Sequence, residues 1–386
     1  MEKILNPILV KGICNEALVY AKAIEQGCED QLLSYLNQEI FADTKVRIMP
    51  DMHPGKGSIV GFTATCNEYA VPAIIGVDIG CGICAYKLGK GKLPFDKLDN
   101  FIHKHIPAGI EVRECLEERV EKVYALTNVG LSFTDFKAAI REVCQKQEQN
   151  IQRVFASLGT LGGGNHFIEI DVDEEHNRWL VIHSGSRNFG LRIAEYHNAV
   201  AISKTQGEMP IKYLSNEDAQ SYYRDMRIAQ RYAELNRMLM AMIIIEDFFK
   251  EDFESIEKIE TVHNYIDFKE RIVRKGAVSA QKGERLIIPF SMSEGAVIGN
   301  GLGNADWNYS APHGAGRKLT RSQAKGLSLD EYRKRMKGVW SSTVSKKTLD
   351  ESPMVYKRSK DILDFIDETM TITHRLTPLY NFKAEE

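Results

Sequence analysis

VRIMPDMHPGKGSIVGFTATCNEYAVPAIIGVDIGCGICAYKL, residues 46–88, holds the pattern that sets the architecture. Short β-prone runs (VRIMP, IVGFTAT, VPAIIGVDIG, ICAYKL) alternate with glycines, which predicts strands joined by tight turns. The sequence on either side has another texture. Residues 15–39 carry small and apolar residues at helical recurrence, and residues 97–157 are charged and helical in pattern. Glycine-punctuated strand returns at 158–190. The longest predicted helix covers about 215–253. There Ser215 offers a cap, Glu217 and Asp218 follow in the first turn, and apolar positions recur through MRIAQRYAELNRMLMAMIIIEDFF. Residues 272–303 are again strand and turn. Strands and helices interleave over the whole length, without a low-complexity linker or an internal repeat. That predicts an α+β fold in one integrated domain, residues 1–386.

Bulk composition narrows the function classes. The 386 residues are 43% hydrophobic, enough to bury a large core. Charged residues make up 27%, with a formal net charge of −3. Such a chain binds nucleic acid only if its basic residues gather on one face. The longest apolar run, Met238 to Ile245, is far short of the roughly 18 residues of a membrane helix. The opening MEKILNPILVKG lacks the apolar run and cleavage site of a signal peptide, so the expectation is a soluble cytoplasmic protein with no membrane partner. The seven cysteines (14, 28, 66, 81, 84, 115, 144) are odd in number, and none lies beyond residue 144. That distribution argues against a disulfide framework and for buried thiols, one or two of them metal ligands.

Reactive side chains stand among glycines in five segments: DMHPGKG (51–57), GVDIGCG (76–82), LGGGNHFIE (161–169), VIHSGSR (181–187) and SAPHGAGR (310–317). HNY (263–265) joins them. Glycine lets a backbone approach a ligand closely. Asp78 and Cys81 pair a carboxylate with a thiolate, a set that suits Zn, Mn, Fe or Co. Their plainer reading is a turn-capping Asp and an inert buried Cys. A lone strand histidine is usually a satisfied core residue. Three of them (His166, His183, His263), each within two residues of a Gly or Asn, point instead to metal ligation. With Asp78 and Cys81 they make five donors, more than one tetrahedral site needs and suited to two ions sharing a thiolate.

His313 sits in a glycine turn with Arg317 and Arg321 close behind. Backbone amides of such a turn cradle phosphate, arginine forks bind it, and an accessible imidazole can attack phosphorus. The alternative is a structural turn whose histidine caps a carbonyl. Cys84 completes CGIC with Cys81, but no second CxxC follows, so zinc-finger and thioredoxin-like chemistry find no support. His103, His105, His176, His197 and His374 read as surface or structural, and MLMAM (238–242) as helix core.

Taken in order, MPDMHPGKG, GVDIGCG, LGTLGGGNHFIEI, VIHSGSR, HNY, RKGAVSA, SAPHGAGRKLTR, DESPMVYK and NFK resemble the RtcB family of tRNA-splicing and RNA-repair ligases, from about Met49 to Lys383. The resemblance implies an α+β fold of its own kind with a deep metal and nucleotide cleft. It implies two Mn²⁺ ions on Asp78, Cys81, His166, His183 and His263, with Cys81 shared, and His313 as the nucleophile that becomes guanylylated. It places GTP on Asn165, His166, Phe167, Ile168 and Glu169, on His263 and Asn264, and on Pro289, Phe290, Ser291 and Met292 with Ala296. Further GTP positions are His313, Gly314, Ala315 and Gly316, then Lys383, with Tyr356 bordering the guanine. Asp51 and His53 match a polar pair near the metals. Arg187, Arg274, Arg317 and Arg321 are candidate phosphate contacts, or else structural ion pairs.

The implied reaction joins an RNA 2′,3′-cyclic phosphate or 3′-phosphate to a 5′-hydroxyl. Its partners are cleaved tRNA or rRNA ends and an archease-like activator. This sequence departs from the family's P-G-S-M-G turn, reading Pro289-Phe290-Ser291-Met292-Ser293, and has Ala296 where relatives carry serine. That suggests a divergent bacterial paralogue. A metal-dependent RNA cyclic phosphodiesterase without joining activity is the alternative function. It would keep the metal ligands but have no need of His313 or Lys383.

Overall fold

The computed structural model describes residues 6–384 apart from 115, 128, 129, 206 and 208. Its strands fall into four stretches of chain. The first holds β1 (Ile8–Lys11), β2 (Glu16–Val19), β3 (Val46–His53) and β4 (Val60–Thr65). The second holds β5 (Gly82–Gly89), β6 (Phe167–Val172) and β7 (Arg178–Ser184). Then come β8 (Lys258–Val262), β9 (Asn264–Asp267), β10 (Ile272–Lys275) and β11 (Ala277–Ser279). The last are β12 (Arg285–Ser291), β13 (Gly295–Gly301), β14 (Ser310–Pro312) and β15 (Met370–Lys383).

A six-stranded sheet has the order β1-β2-β3-β4-β10-β9, a seven-stranded sheet the order β12-β13-β15-β6-β7-β5-β8, and β11 pairs with β14. Every pairing in the larger sheet is antiparallel. That sheet curls until its edges meet, with the Thr261 hydroxyl on β8 donating to the Ile287 carbonyl on β12 at 3.2 Å. Alternation along the strands then decides what faces inward. Trp179, Val181, Ile83, Ala85, Ile259, Ile287 and Ile298 fill the interior as one cluster. Leu180, Ile182, Cys84 and Ile168 face outward into the largest core, beneath the helices. Each large apolar side chain buried this way stabilises the fold by about 1.5–3 kcal/mol.

The expectation of helices across 97–157 is met by Phe95–His105, Glu117–Ala125, Phe133–Lys146 and Ile151–Ala156. The longest helix, Asn216–Met242, is where the sequence places it, and Met238–Met242 are core. Its last stretch, Ile243–Phe249, widens to a π-type turn at three successive isoleucines, whose branched side chains crowd an α-helix. The Ser215 side chain makes no capping hydrogen bond there, contrary to expectation. The helix expected at 15–39 is a correction. Glu16–Val19 is a strand, paired with β1 and β3, and the helix covers only Cys28–Leu36, beginning after Gly27 at φ 83°. Strand pairing overrides the local preference of EALV, which is weak in either direction.

Candidate active site

The register of the curled sheet gathers the candidate ligands at one end. Gly82 pairs with Ser184 and with Val262, and Phe167 pairs with His183. Cys81, His183, His263 and His166 are therefore neighbours, each on a strand end or the residue beside it. The His263 amide donates to the Cys81 carbonyl at 2.9 Å. Close approach depends on two glycines. A Cβ on Gly185 would stand 2.2 Å from an Asp78 oxygen. One on Gly276, at φ 61°, would meet Val60 at 2.1 Å and the His313 ring at 3.2 Å. Gly276 opens into β11, which pairs Ala277 with Pro312 and so sets His313 over the ligand cluster.

Cys81 Sγ lies 3.2 Å from His183 Nε2 and 3.5 Å from His166 Nε2. Asp78 Oδ2 is 3.3 Å from His166 Nε2, and His263 Nε2 is 3.3 Å from His183 Nε2. The ligand atoms of Cys81, His166 and His183 all lie within 4.8 Å of one another. Tautomers follow from the outer partners. His166 Nδ1 donates to the Leu161 carbonyl at 2.9 Å, and His183 Nδ1 to the Asn165 carbonyl at 3.1 Å. A carbonyl only accepts, so each proton sits on Nδ1 and each Nε2 lone pair faces the cluster. Lone pairs of nitrogen, sulfur and carboxylate oxygen thus converge on one small volume, which a cation satisfies. The buried His263 Nδ1 has no hydrogen-bond partner.

Electrostatics favour the metal-binding forms. Burial first, then neighbouring His166, pushes His183 well below the ordinary imidazole range. Burial and the nearby His313 and His183 do the same to His263, so both rings are neutral. Desolvation opposes the Asp78 charge, yet its place beside His166, with Oδ2 3.3 Å from Nε2, holds its carboxyl below the usual carboxylate range. Burial and the Asp78 charge push the Cys81 thiol up, a cost that a bound cation reverses. Soft and hard donors together suit a borderline transition metal.

His313 stands next to this cluster. Its ring centroid is 5.0 Å from that of His263. Its Nδ1 donates to Asp51 Oδ2 at 2.6 Å, and that oxygen also accepts from the His313 and Gly314 amides. In the neutral ring, Nε2 then keeps a lone pair. His53, pushed down to about 4 mainly by burial, lies on the same cavity wall.

The cavity measures about 220 Å³. Among the residues expected to hold nucleotide, its wall includes Asn165, Phe167, Glu169, His263, the Pro289–Met292 turn, the His313–Gly316 turn, Tyr356 and Lys383. Four expected residues lie elsewhere. His166 sits deeper, with Cys81. Ile168 points to the outer core. Asn264 accepts the Gly276 amide through its side chain. Ala296 is packed in the interior cluster of the sheet, paired with Pro289.

Among the four arginines, Arg317 and Arg321 line the cavity, bonded to Glu351 at 3.0 and 3.1 Å. Arg187 donates to Thr160 and to the Gly109 carbonyl. Arg274 is fully buried, spent on Asp267, Tyr265 and Ser310, and is structural.

Sequence reasoning passed over two features. Glu351, in the quoted segment DESPMVYK, gathers Arg317, Arg321, Tyr356 and Lys383 around one buried carboxylate. Asn381 lines the cavity and donates to Glu169. Cys84 points away from Cys81 into the core, toward the Ile182 carbonyl, so CGIC acts as no unit. Six cysteines are free thiols, and Cys115 lies outside the described residues. No helix among the described residues is long and apolar enough to cross a membrane.

Comparison with known proteins gives this site its context. The profile of a family described as tRNA-splicing ligase RtcB matches residues 35–384. A protein of Escherichia coli named RNA-splicing ligase RtcB1 is 32% identical over 361 residues, covering 86% of this chain and 88% of its own. A tRNA-splicing ligase RtcB of Nanoarchaeum equitans is 27% identical over 451 residues, covering 93% and 91%. An E. coli RNA-splicing ligase RtcB2 is 28% identical over 306 residues, covering 74% and 71%. The class is therefore that of the RNA ligases. Within it, the chain belongs to the RtcB family.

Proposed function

We propose that this protein, acting as a single domain, joins RNA ends in a GTP- and Mn²⁺-dependent reaction that passes through a guanylate on His313. One observation carries the reading: an imidazole held by a buried carboxylate lines a cavity whose wall also carries His183 and His263, two members of the converging Cys/His/Asp cluster. Asp78, Cys81, His166, His183 and His263 would hold two ions, with Cys81 shared. Bound there, manganese neutralises phosphate charge and favours in-line displacement.

The rest of the chemistry belongs to side chains. The Nε2 lone pair of His313 attacks the α-phosphorus of GTP. An N–P bond forms as the bond to the pyrophosphate oxygen breaks, and pyrophosphate leaves with the electron pair. Positive charge left on the imidazole is shared with Asp51 through the Nδ1 proton. Lys383, 3.1 Å from the Asn165 carbonyl, adds positive charge to the cavity wall beside Asn165 to Glu169, and Tyr356 borders the base. Water opens the RNA 2′,3′-cyclic phosphate to a 3′-phosphate. An oxygen of that phosphate takes GMP from His313, restoring the neutral ring. The 5′-hydroxyl of the second RNA then attacks the activated phosphate, releasing GMP and its own proton, and a 3′–5′ bond forms. Arg317 and Arg321 at the cavity wall suit RNA phosphate.

The substrates in this reading are cleaved tRNA or rRNA ends in the cytoplasm, with an archease-like activator as partner. The test mixes an RNA ending in a 2′,3′-cyclic phosphate with one bearing a 5′-hydroxyl, with Mn²⁺ and with or without GTP. Joined RNA that requires GTP supports the ligase. Accumulation of 3′-phosphate without joined product, regardless of GTP, supports the cyclic phosphodiesterase instead.

A further inference from the structure

The helix Asn216–Met242 ends in an apolar run that needs no polar residue to pack, yet Asn236 and Arg237 interrupt it, both 0% exposed. Burying an arginine is costly unless its partners are fixed and complete. Here they are. Arg237 Nη1 donates to the Gly80 carbonyl at 2.7 Å and the Ser184 carbonyl at 2.8 Å. Its Nε and Nη2 both reach Glu260 Oε1, at 3.0 and 2.7 Å. Asn236 Oδ1 accepts from the Gly159 and Thr160 amides at 2.8 and 3.0 Å. Its Nδ2 lies 3.1 Å from the Thr160 carbonyl, the Ser184 hydroxyl and the Gly185 carbonyl.

Each of these partners adjoins a candidate metal ligand or lies on the chain segment that supports one. Gly80 precedes Cys81, and Ser184 follows His183. Glu260 lies on β8, the strand that leads directly into His263. Thr160 precedes Leu161, whose carbonyl holds His166 Nδ1 and also accepts from the Ser184 hydroxyl. Two consecutive side chains on one rigid helix thus tie together the four chain segments that carry Cys81, His166, His183 and His263.

We propose that Asn236 and Arg237 are positioning residues of the metal centre, holding its ligand-bearing segments in register before an ion arrives. The proposal rests on reading Cys81 and the three histidines as ligands. Nothing in it requires either residue to touch metal, nucleotide or RNA. Its consequence is that metal affinity depends on the clamp separately from the stability of the fold.

The test titrates the purified metal-free protein with Co²⁺ and follows the thiolate-to-cobalt absorption band, alongside thermal unfolding of the metal-free forms. The variants are Arg237→Met, Arg237→Lys and Asn236→Ser, with Cys81→Ser as a control. Outer-shell partners of metal ligands typically govern affinity by roughly 10–100-fold. We expect a loss of that size in Arg237→Met and Asn236→Ser, a changed band shape, and partial recovery in Arg237→Lys. If Arg237→Met does not fold, Arg237→Lys and Glu260→Gln carry the comparison, since each keeps a donor or an acceptor in place. Folded clamp variants with parental Co²⁺ affinity and band shape would overturn the proposal, even if their melting temperatures fall. A parent protein that binds no Co²⁺, or a Cys81→Ser variant that keeps the band, would instead sink the ligand reading beneath it.

Discussion

Asp51 Oδ2 lies 2.6 Å from His313 Nδ1, and the same oxygen accepts the backbone amides of His313 and Gly314 at 3.1 and 3.2 Å. One buried carboxylate oxygen thus fixes the ring's tautomer, its orientation and the turn that carries it. The other oxygen, Oδ1, is buried without a hydrogen-bond partner. A carboxylate so placed is matched to an imidazole that becomes positively charged during reaction.

Replacing Asp51 by Asn keeps the shape and removes the charge. The rate of guanylate transfer to His313 should fall by roughly 10²–10⁴-fold, the usual weight of such a partner. Asp51 is outside the Cys81, His166 and His183 cluster, so metal content should be unchanged. Rapid-quench labelling with α-labelled GTP, paired with metal analysis, checks both halves. Loss of metal in Asp51→Asn would move Asp51 from nucleophile support to metal support.

The two cysteines of CGIC should separate cleanly. Cys81→Ser should lose most bound metal, because a hydroxyl is a far poorer ligand than a thiolate for a borderline ion. Cys84→Ser should keep its metal and lose about 1–3 kcal/mol of stability, since it places a hydroxyl in an apolar core. Elemental analysis and denaturant melts of both variants decide it. Equal metal in the two would remove Cys81 from the centre.

Glu169 and Asp171 face the same side of β6, both buried, and Asp171 finds no hydrogen-bond donor for either oxygen. Burial pushes both carboxyls up, and the Glu169 charge adds to the rise at Asp171. An acid whose pKa is raised in the folded state binds more protons there than in the unfolded chain. Stability therefore falls as pH climbs from the unfolded carboxyl value, about 4, through the folded one. Asp171→Asn ends the competition for one proton. It should gain about 1–2 kcal/mol relative to the parent near pH 8 and little near pH 5. Denaturant titrations of metal-free protein at the two pH values measure this, and a gain of equal size at both would contradict the shared-proton account.

The sequence shows the site's chemistry more clearly than its geometry. Asp78, Cys81, His166, His183, His263 and His313 stand out because reactive side chains among glycines are an unusual combination. Their convergence depends on strand register, Gly82 against Ser184 and Val262, Phe167 against His183, and Ala277 against Pro312. No local pattern encodes those pairings. Asn236, Arg237 and Glu351 escaped notice for the same reason, since most of their partners lie far away in the sequence. Ala296 and Ile168 show the converse. Each lies in a recognisable segment, but strand alternation turns its side chain into a core. The short strand Glu16–Val19 failed as a helix expectation because pairing with two neighbours outweighs four residues of composition.

The central claim is that His313 carries the guanylate. Purified protein should be incubated with Mn²⁺ and α-labelled GTP, quenched, and tested for label that stays on the protein in alkali and leaves it in acid, as a phosphoramidate does. Label at close to one equivalent, released as GMP and absent from His313→Ala, is the predicted result. Label of equal amount on His313→Ala, or none on a parent protein that binds metal and still joins RNA ends, would contradict the account.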